Sequence, residues 1–416
     1  MERSKNKTVV IIGASHAGVN AAFMLRKEGW QGSIHVFDAD RSLPYHRPPL
    51  SKTFLTMAYS SNEYALKPLE SYEKEDIQLH LGLRVTKINR TAKHIQYGAD
   101  GLQPYDALIL ATGARSLIPP IMGLESATRL FTLRTLKDTL RIKEAVENSA
   151  TKKVVVMGGG FIGLETAASL KKMGAEVTVL ERENRVLARV TSPIISGFFT
   201  KLHATNGVTI ETNKNVVGIA MENDEHLVTC DDESTYTAAI IILGCGIVVN
   251  TALAEDCGLH IENGIKVDPA CTTNDDAIYA IGDCTFHYNP HYARFVRLES
   301  VQNAVDQAKV AAAAICGKGA TYDSIPWFWS DQYDIKLQMV GLSNGYDDCV
   351  LRFEEGKQNV LSIWYFKNGM LLAVDAINCA KAYVIGTKCI KNKLRLNKSK
   401  LNDSSLPLKL QDIIQM

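Results

Sequence analysis

No apolar run in this 416-residue chain approaches the ~20 residues that a membrane-spanning helix needs. Cysteine is sparse in the places where it would organise structure. The nine cysteines begin only at Cys230 and include no C-x-x-C pair, which argues against a zinc site or a disulfide framework. Scattered reduced thiols and no bound metal are the expectation. Net charge is almost absent as well: 46 Lys and Arg stand against 45 Asp and Glu, a balance of +1. No global field therefore favours nucleic acid or an anionic membrane, and a charged partner must be met by a local patch. A secretory leader is not expected either, because the polar start MERSKNK runs straight into a strand. A cytoplasmic protein is the reading.

The chain is too long for one ordinary core, so two or three domains are expected. Its opening unit reads strand, glycine turn, helix, strand. Thr8–Ile12 reads as a strand, apolar from Val9, followed by Gly13, Ala14, Ser15, His16, Ala17 and Gly18. A helical pattern spans about 17–28, Gly29 and Gly32 bracket a turn, and a second strand at 33–37 is closed by Asp38. This nearly spells G-x-G-x-x-G, but Ser15 stands at the middle glycine. The pattern returns in full further on. A strand at 154–157 meets Gly158, Gly160 and Gly163, then a helix ended by Gly174, then a strand at 177–180 with Glu181 at its end. The offset of 145 residues, from Gly13 to Gly158, is far too long for a solenoid and suits two nucleotide-binding domains.

A glycine turn between strand and helix makes a tight bend and lets the backbone approach a pyrophosphate at the positive helix end. An acid ending the second strand accepts hydrogen bonds from a ribose diol. The second copy has every part, and the alternative for it is a plain packing turn with Glu181 as a solvated acid. Glu181 favours NADH over NADPH by repelling a 2′-phosphate, an argument that neighbouring Arg182 weakens. The first copy reads either way on its own. Ser15 adds a side chain where backbone should meet phosphate, yet its small hydroxyl can donate to a phosphate oxygen. Two such units in one chain suggest electron relay between two dinucleotides, for which flavin plus nicotinamide is the usual pair.

Elsewhere, three prolines within "LPYHRPP" force a stiff loop, leading into a helix with Ser51 as its N-cap. Residues 93–112 alternate like a hairpin and end in an apolar strand. The segments 237–250 and 272–284 are further strands, the latter ending at Gly282 and Asp283, and 299–317 is a long helix. From about residue 325 aromatics and short alternating strands indicate a separate, mainly β domain, and a basic helical tail closes the chain.

These segments together carry a likeness. "GASHAGVNAAFMLRKEGWQGSIHVFDAD", "RPPLSK", "LATGA", "GGGFIGLETAASLKKMGAEVTVLER", "IYAIGDC", "PWFWSDQYDIKLQMVGLS" and "LAVDAIN" resemble the FAD-dependent ferredoxin and rubredoxin reductases, the putidaredoxin-reductase-like group, over nearly the whole length. The resemblance implies an α/β chain of the glutathione-reductase type. Its two Rossmann-like domains would be an FAD domain split between 1–113 and 245–322 and an NAD domain at 114–244. A C-terminal α+β interface domain would take 323–416.

It also implies roles. Gly13, Ser15, Ala17, Gly18 and Asp38 would hold the FAD dinucleotide, with Val85, Ala111, Asp283 and Val301 completing its bed. Arg47, Pro48 and Lys52 would approach the flavin ring, with Lys52 near N5, and Trp329 would lie near its exposed side. Gly158, Gly160, Ile162, Gly163, Glu181 and Gly246 would bind NADH, and Glu165 would stand by the nicotinamide, paired with Lys52. Trp329, Lys52 and Glu165 also have bland alternatives, as a core aromatic and ordinary charges, and Trp327 reads as packing.

The chain departs from the family at the first acid. Relatives place it one position later, where Ala39 stands here, which leaves Asp38 or Asp40 for the adenosine ribose. Val249 stands where many relatives have proline, a change that should affect loop stiffness more than chemistry. Redox dithiol chemistry of the related disulfide reductases is rejected, since no cysteine precedes Cys230 and nothing pairs with Cys284 in sequence. The expected activity is NADH-dependent reduction of an acidic ferredoxin or rubredoxin that feeds an oxygenase, docking near Arg294 and Arg297. The rivals are a diaphorase or monodehydroascorbate-type reductase, and a redox-responsive flavoprotein like apoptosis-inducing factor.

Overall fold

A computed structural model describes residues 5–57 and 61–415. The described chain falls into two compact units, one built from 5–47, 61–115 and 248–326, the other from 48–57, 116–247 and 327–415. Among the described residues no helix is long and apolar enough to cross a membrane.

The first unit is organised by a parallel sheet in the spatial order Ile278–Ala280, Ala107–Leu110, Thr8–Ile12, Ser33–Asp38, Ile77–Leu81. Its central strands are continuous apolar runs because both faces are covered: Val9, Val10, Ile11, Leu108, Ile109 and Leu110 are all fully buried. One face carries the helices His16–Glu28 and Val301–Ile315. Alanines on both (Ala17, Ala21 and Ala22; Ala304, Ala308, Ala311 and Ala312) share one buried cluster, and their small side chains allow close approach. An antiparallel ribbon of Val85–Asn89, His94–Tyr97 and Gly101–Pro104 covers the other face, placing Val85, Ile88 and Ile95 with Val10 and Leu108. The long helix is capped by Ser300, whose hydroxyl accepts from the Asn303 N–H at 3.1 Å.

The second unit holds a matching parallel sheet in the order Thr209–Thr212, Glu176–Glu181, Lys153–Met157, Ile240–Leu243, Leu130–Thr132. The same unit contains a five-stranded antiparallel sheet: Trp327–Gln332, Ile335–Gly341, Met370–Ile377, Leu361–Lys367, Asp348–Phe353. The basic tail forms the helices Ala380–Lys391, Lys398–Asn402 and Leu410–Ile413. One side chain ties down its end. Arg352, 1% exposed, donates to the carbonyls of Leu401, Asp403 and Leu406 and pairs with Glu354 at 2.9 Å.

The proline loop differs from expectation. Pro48–Ser51 is a single 3₁₀ turn, and the short helix Thr53–Thr56 has Lys52, not Ser51, at its cap position. Ser51 is buried and its hydroxyl serves another group.

Candidate active site

The first unit shows why Gly13, Gly18 and Ser15 stand where they do. Gly13 has φ +109, and a Cβ there would lie 2.2 Å from the Ala111 carbonyl oxygen. A Cβ on Gly18 would lie 1.9 Å from the Gly13 carbonyl oxygen. Both glycines are thus demanded by the protein's own packing. The second unit repeats the arrangement. Gly158 has φ +108 with a Cβ 2.5 Å from the Gly244 carbonyl oxygen, and a Cβ on Gly163 would lie 2.0 Å from that of Gly158. The middle position is different. A Cβ on Gly160 meets nothing within 4 Å, and its φ of −76° is open to any residue. Ser15, at φ −104°, fills the equivalent place without strain, and its Oγ accepts from Arg47 Nε at 3.3 Å.

Two acids hold the two loops in one way. Asp38 Oδ2 accepts from the Ala14 N–H at 2.6 Å, and Oδ1 from the Asp40 N–H at 2.8 Å. Glu181 Oε2 accepts from the Gly159 N–H at 2.6 Å, and Oε1 from the Glu183 N–H at 2.8 Å. The strand ends also correspond: Gly13 N–H donates to Phe37 O, and Gly158 N–H to Leu180 O, each at 2.8 Å. Asp38 is therefore the structural equal of Glu181, although it lies two residues further from its loop in sequence. Asp40 is engaged with the Ser42 N–H and the Tyr45 hydroxyl instead. A carboxylate offers about four acceptor sites, so both acids keep capacity for a ribose diol.

Neither loop helix has a side-chain cap or an acidic residue in its first turn. The helix Leu136–Glu147, by contrast, is closed by a capping box on Thr135 and Asp138. Uncapped amides above a glycine turn fit a dinucleotide pyrophosphate. The floor of the first loop is also fixed. Gln307 Oε1, fully buried, accepts from the Gly282 N–H at 2.7 Å and the Thr285 hydroxyl at 3.0 Å, which sets the turn carrying Asp283. Ala111 ends the neighbouring strand, its N–H donating to Ile12 O, and Val85 is buried at the start of the ribbon. Val301 opens the long helix.

The second unit contains a buried ion pair. Lys52 Nζ lies 2.8 Å from Glu165 Oε2, and Glu165 is 2% exposed. Ser51 Oγ donates to the same oxygen at 2.6 Å, and Ser330 Oγ donates to Glu165 Oε1 at 2.7 Å. The arrangement follows from two periodicities. On the helix Phe161–Lys172, Phe161 and Glu165 share a face; on the strand Trp327–Gln332, Phe328 and Ser330 share one. The Phe161 and Phe328 rings meet at 4.8 Å beside the Glu165–Ser330 bond. Trp327 and Trp329 take the strand's other face, 5.5 Å apart, with Trp327 also edge-on to Tyr383. Pro48 opens the 3₁₀ turn, and its carbonyl accepts from Lys52 Nζ at 3.3 Å. Ile162 is exposed beside the second loop, and Gly246 has φ +109.

Of the sequence-predicted flavin residues, Pro48, Lys52 and Trp329 belong to the second unit and the others to the first; all the NADH residues belong to the second. Ser51, Ser330 and Gln307 were not expected. Alternation marks Ser330 as facing away from Trp329, but no pattern tells which helix covers that face. Arg294 is exposed, whereas Arg297 is engaged by Glu299 and Asn263. The nine cysteines are all free, and Cys284 is wholly buried with its thiol pushed up by desolvation.

Residues 7–308 match the family described as pyridine nucleotide-disulphide oxidoreductase, and residues 327–411 match the reductase C-terminal family. The chain is 39% identical over 409 residues to putidaredoxin reductase of Pseudomonas putida, covering 97% of this chain and 96% of that protein. It is 38% identical to rhodocoxin reductase of Rhodococcus erythropolis, covering 97% and 94%. A crystal structure of the covalent putidaredoxin reductase–putidaredoxin complex is similar with a TM-score of 0.92 at 38% identity, over 97% of each chain.

Proposed function

The chain belongs to the pyridine nucleotide-disulphide oxidoreductase family and carries the reductase C-terminal domain, and from that premise we propose that it is an NADH-dependent, FAD-containing reductase of a small iron–sulfur protein. The observation that carries this reading is the doubled cradle: two glycine loops, each uncapped and each tied by an acid through paired backbone bonds. Relatives named for putidaredoxin and rhodocoxin support the kind of acceptor. When bound, FAD supplies the conversion of one hydride into two single-electron transfers.

The protein's residues do the placing. Gly13, Ala17 and Gly18 would admit the FAD pyrophosphate, Ser15 would present a hydroxyl steadied by Arg47, and Asp38 would take the ribose. Asp283, held through Gln307 and Gly282, would meet the ribitol side, with Val85, Ala111 and Val301 as apolar walls. Arg47, Pro48, Lys52 and Trp329 would border the ring. Gly158, Gly160, Ile162, Gly163 and Gly246 would receive NADH, with Glu181 on the ribose. The Lys52 ammonium favours negative charge near it, and Glu165 moderates that field while fixing where the ammonium points. The corresponding domains are the split FAD domain, the inserted NAD domain and the C-terminal interface domain. Dithiol chemistry is not part of this reading, because no cysteine precedes Cys230 and the buried Cys284 thiol is pushed up by desolvation. Arg294, exposed at the start of the strand Arg294–Val296, would meet an acidic partner.

The test is NADH-driven reduction of cytochrome c through purified ferredoxins and rubredoxins, with NADPH as control. No rate above the flavoprotein-only background with any of them sinks the reading. Full rates on quinones without an iron–sulfur protein would make the chain a diaphorase.

A further inference from the structure

Behind Glu165 runs a line of hydrogen bonds that the reductase reading does not use. Ser330 Oγ lies 3.2 Å from Gln332 Nε2, Gln332 Oε1 lies 2.8 Å from His203 Nε2, and the Tyr333 hydroxyl lies 3.2 Å from His203 Nδ1. Ser330, Gln332 and His203 are each at most 1% exposed, whereas Tyr333 is half-buried.

The direction of this line is fixed from one end. Glu165 is a carboxylate paired with Lys52, so it can only accept, and Ser330 must give it its single hydroxyl proton. Ser330 Oγ can then only accept from its other neighbour, which turns the Gln332 NH₂ toward it and the Gln332 carbonyl away. That carbonyl accepts from His203 Nε2, so this nitrogen carries the ring proton. Burial lowers the His203 pKa, which keeps the ring neutral and leaves Nδ1 to accept from Tyr333. Every donor therefore points toward Glu165. Such aligned bonds polarise one another, and removing one buried link leaves the next group without its partner.

We propose that Ser330, Gln332 and His203 are positioning residues for the Lys52–Glu165 pair, joined in a one-way hydrogen-bonded chain that fixes the Glu165 carboxylate and, through it, the Lys52 ammonium. The proposal rests on the reductase reading for its consequence, since Lys52 is the residue assigned to the flavin. Its geometry rests on the chain alone.

Two measurements test it. The ¹⁵N spectrum of histidine-labelled protein, with His203→Asn to assign the signal, should show His203 as the Nε2–H tautomer with Nδ1 unprotonated. In single-turnover mixing with NADH, Ser330→Ala and Gln332→Leu should slow flavin reduction about three- to ten-fold, the scale of one hydrogen bond. NADH affinity and flavin content should be unchanged, and Ser330→Thr, which keeps the hydroxyl, should restore the rate. An Nδ1–H tautomer overturns the chain. So does wild-type reduction in a folded, flavin-replete Gln332→Leu. Failure of the wild-type protein to be reduced by NADH overturns the reductase reading instead, and the tautomer, which needs no turnover, still decides the chain.

Discussion

Replacing Gly160 by serine should leave the protein as stable as before and weaken NADH binding. The two outer glycines of that loop are dictated by the protein. At Gly158, φ +108 costs a side chain roughly 1–3 kcal/mol, and a Cβ 2.5 Å from the Gly244 oxygen adds roughly 1–3 more. Gly158→Ala should therefore cost about 2–6 kcal/mol. At Gly160 neither penalty applies, since nothing lies within 4 Å and φ is −76°. Removing the glycine should even gain up to about 1 kcal/mol by restricting the unfolded chain, and serine suits the cap position that Gly160 occupies. On the proposed reading a side chain there would crowd the NADH pyrophosphate, whereas the Ser15 hydroxyl, at the same place in the first loop, is steadied by Arg47. The expected result is an apparent melting temperature within a degree or two of wild type, unchanged flavin content, and an NADH dissociation constant raised about ten-fold or more, ~1.4 kcal/mol. The assays are thermal unfolding and NADH titration of the oxidised protein. A melting loss comparable to that of Gly158→Ala, or full NADH affinity in Gly160→Ser, would refute the reasoning.

Three other outcomes follow from the same geometry. Asp375 is buried, accepting from the Thr191 and Tyr365 hydroxyls at 2.7 Å each, and desolvation pushes its carboxyl up to about 6. Its neutral form is favoured in the fold, so its contribution is complete at acid pH and fades as pH rises through 6. In urea unfolding, Asp375→Asn should gain on wild type by up to about 3 kcal/mol between pH 4 and pH 8; a pH-independent difference would refute this. His35 and His80, 3.0 Å apart, are both lowered chiefly by burial. Their contribution is present at pH 7 and lost as pH falls below the ordinary histidine value, so His80→Gln should flatten the acid limb of the unfolding curve, and an unaltered limb counts against it. Lys52→Met strands the Glu165 carboxylate and should cost up to about 3 kcal/mol in the same assay, with Lys52→Met/Glu165→Met recovering most of it; a double variant as unstable as the single one would argue against a buried pair.

The features written locally in the sequence survive folding best. The two strand–turn–helix units, the glycine spacing and the capped long helix depend on neighbours within a few residues, and each appears within a residue or two of its expected bounds. The ion pair of Lys52 and Glu165 came from family likeness rather than pattern, because 113 residues separate its members. Spacing left Asp38 and Asp40 both open, and it is Asp38 that takes the Ala14 amide. The first βαβ unit spends two more residues between loop and acid than the second, and the longer helix and turn absorb them without moving the carboxylate. Ser51 looked like a helix cap because serine before a helix usually is one. Its hydroxyl instead meets Glu165, a partner that only tertiary packing brings near. Period-two alternation gives Ser330 and Gln332 a face, but not the helix or histidine that will cover it.

The interleaving of the first unit also bears on how the chain is made. Its parallel sheet needs Ile278–Ala280 beside Ala107–Leu110. A ribosome adding roughly 5–20 residues per second reaches the second of these strands about 8–34 s after the first. Through that interval the apolar strand Ala107–Leu110 presents an unpaired edge. The nascent chain is thus committed to a long exposed stage that no stabilisation of the finished sheet can shorten, and chaperone dependence during synthesis should exceed that of refolding the completed polypeptide.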